Sequence, residues 1–279
     1  MLDIRIFIMI FILGKKGGIM RRIYPFILVV LLLVITIGTV ISQEKQGPRI
    51  TIEEPNFDFG FAPEGTFMAH EYVIKNTGDE PLEIKRVRTT CGCTSAPIKK
   101  MHLEPGEETT ITIIFNSTRY FHKTSKAAII STNDPTRPSE KITFIANMDT
   151  VKPRAITPKP RKIDLGNVND FHRVDSVKIQ NLSENDVTIQ IVDYYEVFLE
   201  EPWIVGAKTP IIEGTSEGTD EPQYSAISIP VGGTATIKVS VRDDISPEEI
   251  IRASFTVSAM DKGGNELTRI TVPVFGGGE

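Results

Sequence analysis

Residues 103–115, LEPGEETTITIIF, and residues 229–241, IPVGGTATIKVSV, are two versions of one pattern. In each, a turn rich in Gly leads into apolar residues at every second position. These are Ile111, Ile113 and Phe115 in the first, and Ile237, Val239 and Val241 in the second. A period of two sends successive side chains to opposite faces of a strand, so one face of each strand is buried and the other wet.

Working outward, the correspondence extends to most of the chain. Phe57-Asp58-Phe59-Gly60 matches Ile163-Asp164-Leu165-Gly166, and Tyr72-Val73-Ile74-Lys75-Asn76 matches Val177-Lys178-Ile179-Gln180-Asn181. Leu82 and Ile84 fall on Val187 and Ile189. The spacing then lengthens from 105 to 126 residues, so the second copy carries an insertion, placed at 194–225. Turn residues punctuate the runs, as in Asn76-Thr77-Gly78-Asp79 and Asp261-Lys262-Gly263-Gly264-Asn265, and no helical period intervenes. A duplication of short alternating strands predicts an all-β chain of two tandem immunoglobulin-like antiparallel β-sandwiches, at 43–150 and 162–279, each able to fold separately. Between them, residues 151–161 contain Pro153, Pro158 and Pro160 and read as an extended, semi-rigid spacer.

The N-terminus has a different composition. Residues 20–42 run from Arg21 and Arg22 through an apolar stretch to Val40-Ile41-Ser42, the layout of a secretory signal peptide with cleavage before Gln43. An uncleaved signal anchor fits the same residues, since nearly twenty apolar residues can cross a hydrocarbon core of about 30 Å. Either way the flanking Lys15, Lys16, Arg21 and Arg22 hold the N-terminal side in the cytoplasm and send the rest outside. Residues 1–19 read as an over-extended start before Met20, and the absence of a cysteine before Cys91 argues against a lipid anchor. The formal charge is -5, but residues 1–42 hold five basic groups against Asp3, so the remainder carries -9. An acidic surface disfavours nucleic acid and anionic lipid, which leaves the N-terminal segment as the expected membrane contact.

Asp58-Phe59-Gly60, Lys75-Asn76-Thr77-Gly78, Leu82-Glu83-Ile84, Cys91-Gly92-Cys93-Thr94 and Leu103-Glu104-Pro105-Gly106-Glu107 occur in that order. Over residues 54–148 the chain resembles the exported bacterial family known only as domain of unknown function 1573. Its domains are similar to the ASH, Hydin and PapD-like branch of immunoglobulin-type sandwiches. The resemblance implies the fold and export, and no activity.

The sequence contains no His-Glu-x-x-His and no phosphate-binding glycine loop. His70, His102, His122 and His172 are scattered and read as surface or strand-edge residues; paired carboxylates such as Glu107-Glu108 lie near turns and read as solvated charge. The exception is Cys91-Gly92-Cys93, absent from the second copy and therefore not required by the fold. A bridge between near neighbours, two free thiols, and a soft-metal site helped by His102, Met101 or Met68 all remain open. With only two cysteine ligands no metal and no cofactor are assigned. The insertion holds the sole tryptophan, Trp203, with Tyr195, Phe198 and Tyr224. Those aromatics either form a recognition loop or, for Trp203, plug the open end of the second core. The expected function is that of an exported, non-catalytic interaction or scaffold module with an envelope or extracellular protein partner. The alternative is thiol redox or copper handling at Cys91 and Cys93.

Overall fold

The computed structural model describes residues 47–148, 154–207 and 226–278. The N-terminal segment to residue 42, residues 151–153 of the connection and residues 208–225 of the insertion, Tyr224 included, lie outside them. Among the described residues there is no helix, and hence none long and apolar enough to cross a membrane.

The first copy supplies β1 (Ile50–Ile52), β2 (Asn56–Phe61), β3 (Phe67–Asn76), β4 (Leu82–Thr89), β5 (Thr94–Ser95), β6 (His102–Leu103), β7 (Glu108–Asn116), β8 (Lys123–Thr132) and β9 (Ser139–Asn147). The second supplies β10 (Ile156–Lys159), β11 (Ile163–Asp164), β12 (Val174–Asn181), β13 (Val187–Tyr194), β14 (Trp203–Ile204), β15 (Ala226–Ile229), β16 (Thr234–Ser240), β17 (Ile251–Met260) and β18 (Glu266–Gly276). Each copy has its own four-stranded sheet, β1-β3-β7-β5 and β10-β12-β16-β14. The opposing layers join into one sheet, β15-β13-β17-β18-β2-β9-β8-β4-β6, with β11 added on β18. Both copies are immunoglobulin-like sandwiches.

The alternating positions read from the sequence are the ones that face inward. Ile111, Ile113 and Phe115 are fully buried with Phe59 and Phe144 in the first core, and Ile237, Val239 and Val241 with Phe255 in the second. Phe59, Phe115 and Phe144 meet at ring separations of 5.8 and 5.1 Å. Each such side chain contributes about 1.5–3 kcal/mol by leaving water.

The duplication also repeats a polar device. Asn76 and Asn181 end β3 and β12 fully buried, where an apolar residue would leave turn carbonyls unpaired. The Asn76 amide donates to Glu80 O and Leu103 O, while its Oδ1 accepts from Gly78 N–H. Asn181 donates to Asn185 O and Ile229 O and accepts from Ser183 N–H. Each ties the turn after one strand to the strand of the opposite layer, satisfying buried backbone groups.

The expectation of a spacer over 151–161 is corrected at 156–159. Those residues are β10, the edge strand of the second sandwich, with Pro158 opposite Ile179. Leu182 N–H bonds Ala155 O at 2.7 Å, and by the antiparallel alternation the nitrogens of residues 156 and 158 face away from β12. A proline there costs the ladder nothing.

The two sandwiches meet along β2, β3, β17 and β18. Parallel pairing of Ile270 with Phe61 links the large sheet. Thr271 donates its hydroxyl to Phe59 O at 2.7 Å, and Ser254 Oγ both accepts from Ala69 N–H and donates to Ala69 O. Gly60 lies in the left-handed region at φ +63°, and a Cβ there would come within 2.0 Å of Arg269 O. The approach of β18 therefore excludes every side chain at position 60.

Candidate functional site

Two surface features stand out in the first sandwich, and they are continuous with each other. The first is the outer side of β4. This strand pairs with β8 on one side, but β6 on the other meets only Leu82 and Glu83, with Ile84 N–H reaching Met101 O. From Lys85 to Thr89 no strand pairs with that side among the described residues. Thr90 N–H bonds Ala127 O on β8 at 2.9 Å. By alternation the N–H groups of Val87 and Thr89 point away from β8. Lys85, Arg86 and Arg88 are all exposed along this stretch.

The second feature ends that edge. After Thr89 the chain must leave the large sheet for β5 in the other layer, and it turns through Cys91-Gly92-Cys93. The two cysteines are joined as a disulfide with Cα atoms 5.2 Å apart. Thr89 donates its hydroxyl to Cys91 O, and Asn116 N–H holds Cys93 O, so both ends of the turn are fixed to neighbouring strands. Thr94 Oγ1 lies 3.4 Å from Cys91 Sγ and 3.6 Å from Cys93 Sγ. Cys93 packs against the first core, yet both residues remain half-buried and line an open depression with Asn116, Arg119 and Tyr120.

The donors considered for a soft metal are not assembled around them. Met68 is fully buried in the core. Met101 and His102 lie at the Glu83 end of β4, about 20 Å along a strand from the cysteine turn at ~3.3 Å per residue. His102 is instead paired with Glu104 at 3.4 Å.

The aromatic residues of the insertion separate. Tyr195 is 6% exposed and belongs to the second core, so it is removed from the recognition surface. Its N–H is bonded to Ser254 O, which draws the residue inward as β13 ends. Phe198 is half-buried, edge-on to Tyr195 at 5.7 Å. Trp203 does not plug the core: Ile204 and Leu199 fill that end, and Trp203 is 42% exposed on β14 beside Val205 at 45%. Alternation along β14 explains it, since Ile204 pairs inward with Ile237 and its neighbours must point out.

His70 also departs from its sequence reading. It is buried, stacked on Phe57 at 3.6 Å, and donates from Nδ1 to Asp193 Oδ1 at 2.9 Å. His102 and His172 are exposed beside Glu104 and Asp175. Burial, and then the charge of Asp193, push the neighbouring Tyr72 hydroxyl well above its ordinary pKa, and that hydroxyl donates to Thr143 O. Among the described residues no group of three His, Cys, Asp or Glu is placed to hold a metal ion.

This geometry defines an immunoglobulin-like double sandwich with an open, basic edge strand and a disulfide-closed turn. Residues 50–148, which contain both features, match the family described as protein of unknown function (DUF1573). No curated protein matches the chain. Among solved structures, VesB protease of Vibrio cholerae aligns at 12% identity and TM-score 0.30, over 36% of this chain and 32% of that one. The chain thus spans about a third of that protein's length. A protein of unknown function from Porphyromonas gingivalis W83 aligns at 12% identity and TM-score 0.29, over 81% and 99%. The ASH / PapD-like domain 7 of human CEP192 aligns at 8% identity and TM-score 0.31, over 41% and 93%.

Proposed function

We propose that this chain is an exported, non-catalytic interaction module that receives an extended segment of an envelope or extracellular protein along β4. The observation that carries the reading is the unpaired side of β4 from Lys85 to Thr89. Unpaired N–H and C=O groups on a rigid sandwich are a template that an incoming strand completes. Lys85, Arg86 and Arg88 make pairing with the same edge of a second copy unfavourable, because like charges would face each other. They favour a different chain. Export is supported by the charged, then apolar, then small-residue order of residues 20–42. No cofactor or nucleic acid enters this reading, and the membrane is met only through the N-terminal segment.

The test is affinity capture from envelope extracts with the wild type and with Thr89→Pro. The substitution removes an N–H that faces outward while the Arg88 and Thr90 bonds to β8 stay, and Thr89→Ala serves as the control for the hydroxyl bond to Cys91 O that is lost with it. Loss of the captured partner is expected. Equal capture by a Thr89→Pro protein of unchanged melting temperature excludes the edge.

A second reading, thiol redox at Cys91 and Cys93, is favoured by their half-exposed position beside Arg119. Cys93→Ser separates the two: the interaction reading expects capture to persist, and the redox reading expects thiol–disulfide exchange to be lost. Protein taken directly from the envelope should resist alkylation at both cysteines if the pair is oxidised there.

A further inference from the structure

The two copies also differ in charge on the solvent side of their four-stranded sheets. In the first copy that side is neutralised within the chain. Lys75 pairs with Glu108 at 2.6 Å, Glu71 with Lys99 at 3.3 Å, and Glu53 also acts on Lys75. The duplication carries Glu53 to Lys159, Val73 to Lys178, Glu71 to Ser176, Glu108 to Thr234 and Thr112 to Lys238. Every acidic position on that side is lost, one is reversed in sign, and further lysines are gained.

The registers put the lysines together. Lys159 lies directly opposite Lys178, which lies opposite Thr236; in the next row Ser176, Lys238 and Trp203 follow one another across the sheet. Opposed residues in a sheet have Cβ atoms about 5 Å apart, and like charges there are destabilising. No Asp or Glu occupies an outward position of β10, β12, β16 or β14, and none of the lysines has an ion pair among the described residues. Glu200 and Glu201 act on Tyr194, and Glu200 also on Arg242, while Asp175 on β12 has the parity of the buried Val177 and Ile179 and meets His172. At its margin stand Trp203 and Val205, both exposed. Among the described residues an acidic chain thus keeps one cationic face without a compensating carboxylate, with an exposed tryptophan on its edge strand β14.

We infer that this face of the second sandwich docks an extended acidic segment of a partner protein, with carboxylates over Lys159, Lys178 and Lys238 and an apolar side chain against Trp203. The inference deepens the interaction reading and rests on it, but uses a surface separate from β4. An acidic peptide fits better than a lipid surface, because the exported residues carry -9 in total and an anionic bilayer repels the body of the protein. A peptide meets only the lysines. Tryptophan is also among the side chains enriched where protein contacts concentrate their energy.

The probe is a fluorescent synthetic peptide of alternating Glu and Thr or Val, with its Gln-for-Glu counterpart, read by anisotropy on the exported chain. Binding of the Glu peptide is expected, weakening steeply as salt shortens the screening length from about 30 Å to about 8 Å. Lys178→Glu/Lys238→Glu and Trp203→Ala are each expected to lower affinity about ten-fold or more, and Arg86→Glu/Arg88→Glu to leave it unchanged. All these side chains are exposed, so the variants should keep the wild-type melting temperature. Failure of the peptide to bind, equal binding of the Gln peptide, or indifference to the lysine reversals overturns the assignment. Loss of binding through Arg86 and Arg88 instead would move the acidic segment to β4, overturning this inference while leaving the interaction module intact. Vesicles containing phosphatidylserine should not compete with the peptide; if they alone bind this face, a protein partner is excluded.

Discussion

His70 Nδ1 and Asp193 Oδ1, from strands of different sandwiches, lie 2.9 Å apart in the region where the two copies meet. Phe57 covers one face of the imidazole at 3.6 Å, and Asp193 Oδ2 is buried with no hydrogen-bond partner among the described residues. The pair is therefore the hydrogen bond that ties that carboxyl group to the first sandwich among the described residues. Where one partner of such a buried pair is removed the other is left desolvated, which costs about 3–5 kcal/mol, whereas replacing both by apolar groups is often neutral.

The expected outcome is asymmetric. His70→Phe keeps a ring on Phe57 but strands Asp193, and should lower unfolding stability in urea by about 3 kcal/mol. His70→Phe/Asp193→Leu should recover most of that loss. Additive loss in the double variant would show that the hydrogen bond itself, and not the stranded carboxyl group, holds the sandwiches together.

Asn76 and Asn181 make parallel predictions because they are the same residue of the duplicated unit. Each satisfies from a buried site one carbonyl of the following turn and one of a strand in the opposite layer, and removing a buried partner costs about 1–3 kcal/mol per unsatisfied group. Asn76→Ala and Asn181→Ala should each destabilise by more than about 2 kcal/mol. Asn→Asp at either position should be nearly as damaging, since the donor amide is what the carbonyls need. Chemical denaturation of the single variants, compared with an exposed control such as Asn169→Ala, checks both.

Local pattern made the sandwiches legible. The alternation at Ile111, Ile113 and Phe115 depends only on which residues share a face, and the repeat at Asn76 and Asn181 doubles every such inference. Pro158 misled because a proline cluster is the signature of a spacer and also of an edge strand whose nitrogens face solvent, and only the partner strand decides between them. Trp203 misled because the insertion contains an edge strand, β14, whose alternation turns the tryptophan outward, and Tyr195 because its N–H bond to Ser254 O draws it into the core as β13 ends. His70 could not be read at all. Its partner is 123 residues away and on the other copy, and nothing near either residue marks the contact. The lysine face, by contrast, was present in the aligned copies as Glu53 to Lys159 and Thr112 to Lys238. It becomes visible when the outward positions of the two units are compared by charge as well as by apolar period.

Asp134 gives the protein an acid-sensitive joint. The carboxylate is fully buried between β8 and β9, where it accepts from Ile50 N–H at 3.0 Å, Thr136 N–H and Oγ at 2.8 Å each, and Arg137 N–H at 3.1 Å, with Arg49 at 3.2 Å. Burial alone pushes its pKa up, but the hydrogen bonds from Ile50, Thr136 and Arg137 outweigh it and hold the group below the ordinary Asp value. A folded pKa below the unfolded one means that the native state favours the ionised form. The associated stability is complete above the unfolded value of about 3.9 and is lost as pH falls through the depressed native value. Wild-type stability should therefore decline between about pH 5 and the acid limit with a contribution that Asp134→Asn removes. At pH 7 the Asn variant should be less stable by about 1–3 kcal/mol, because an amide replaces one oxygen acceptor by a donor among N–H groups. The difference between the two proteins should narrow on acidification, as the wild-type carboxylate is itself protonated. Urea unfolding at a series of pH values measures it, and a difference that stays constant from pH 7 down through that range would show that folding does not lower the Asp134 pKa.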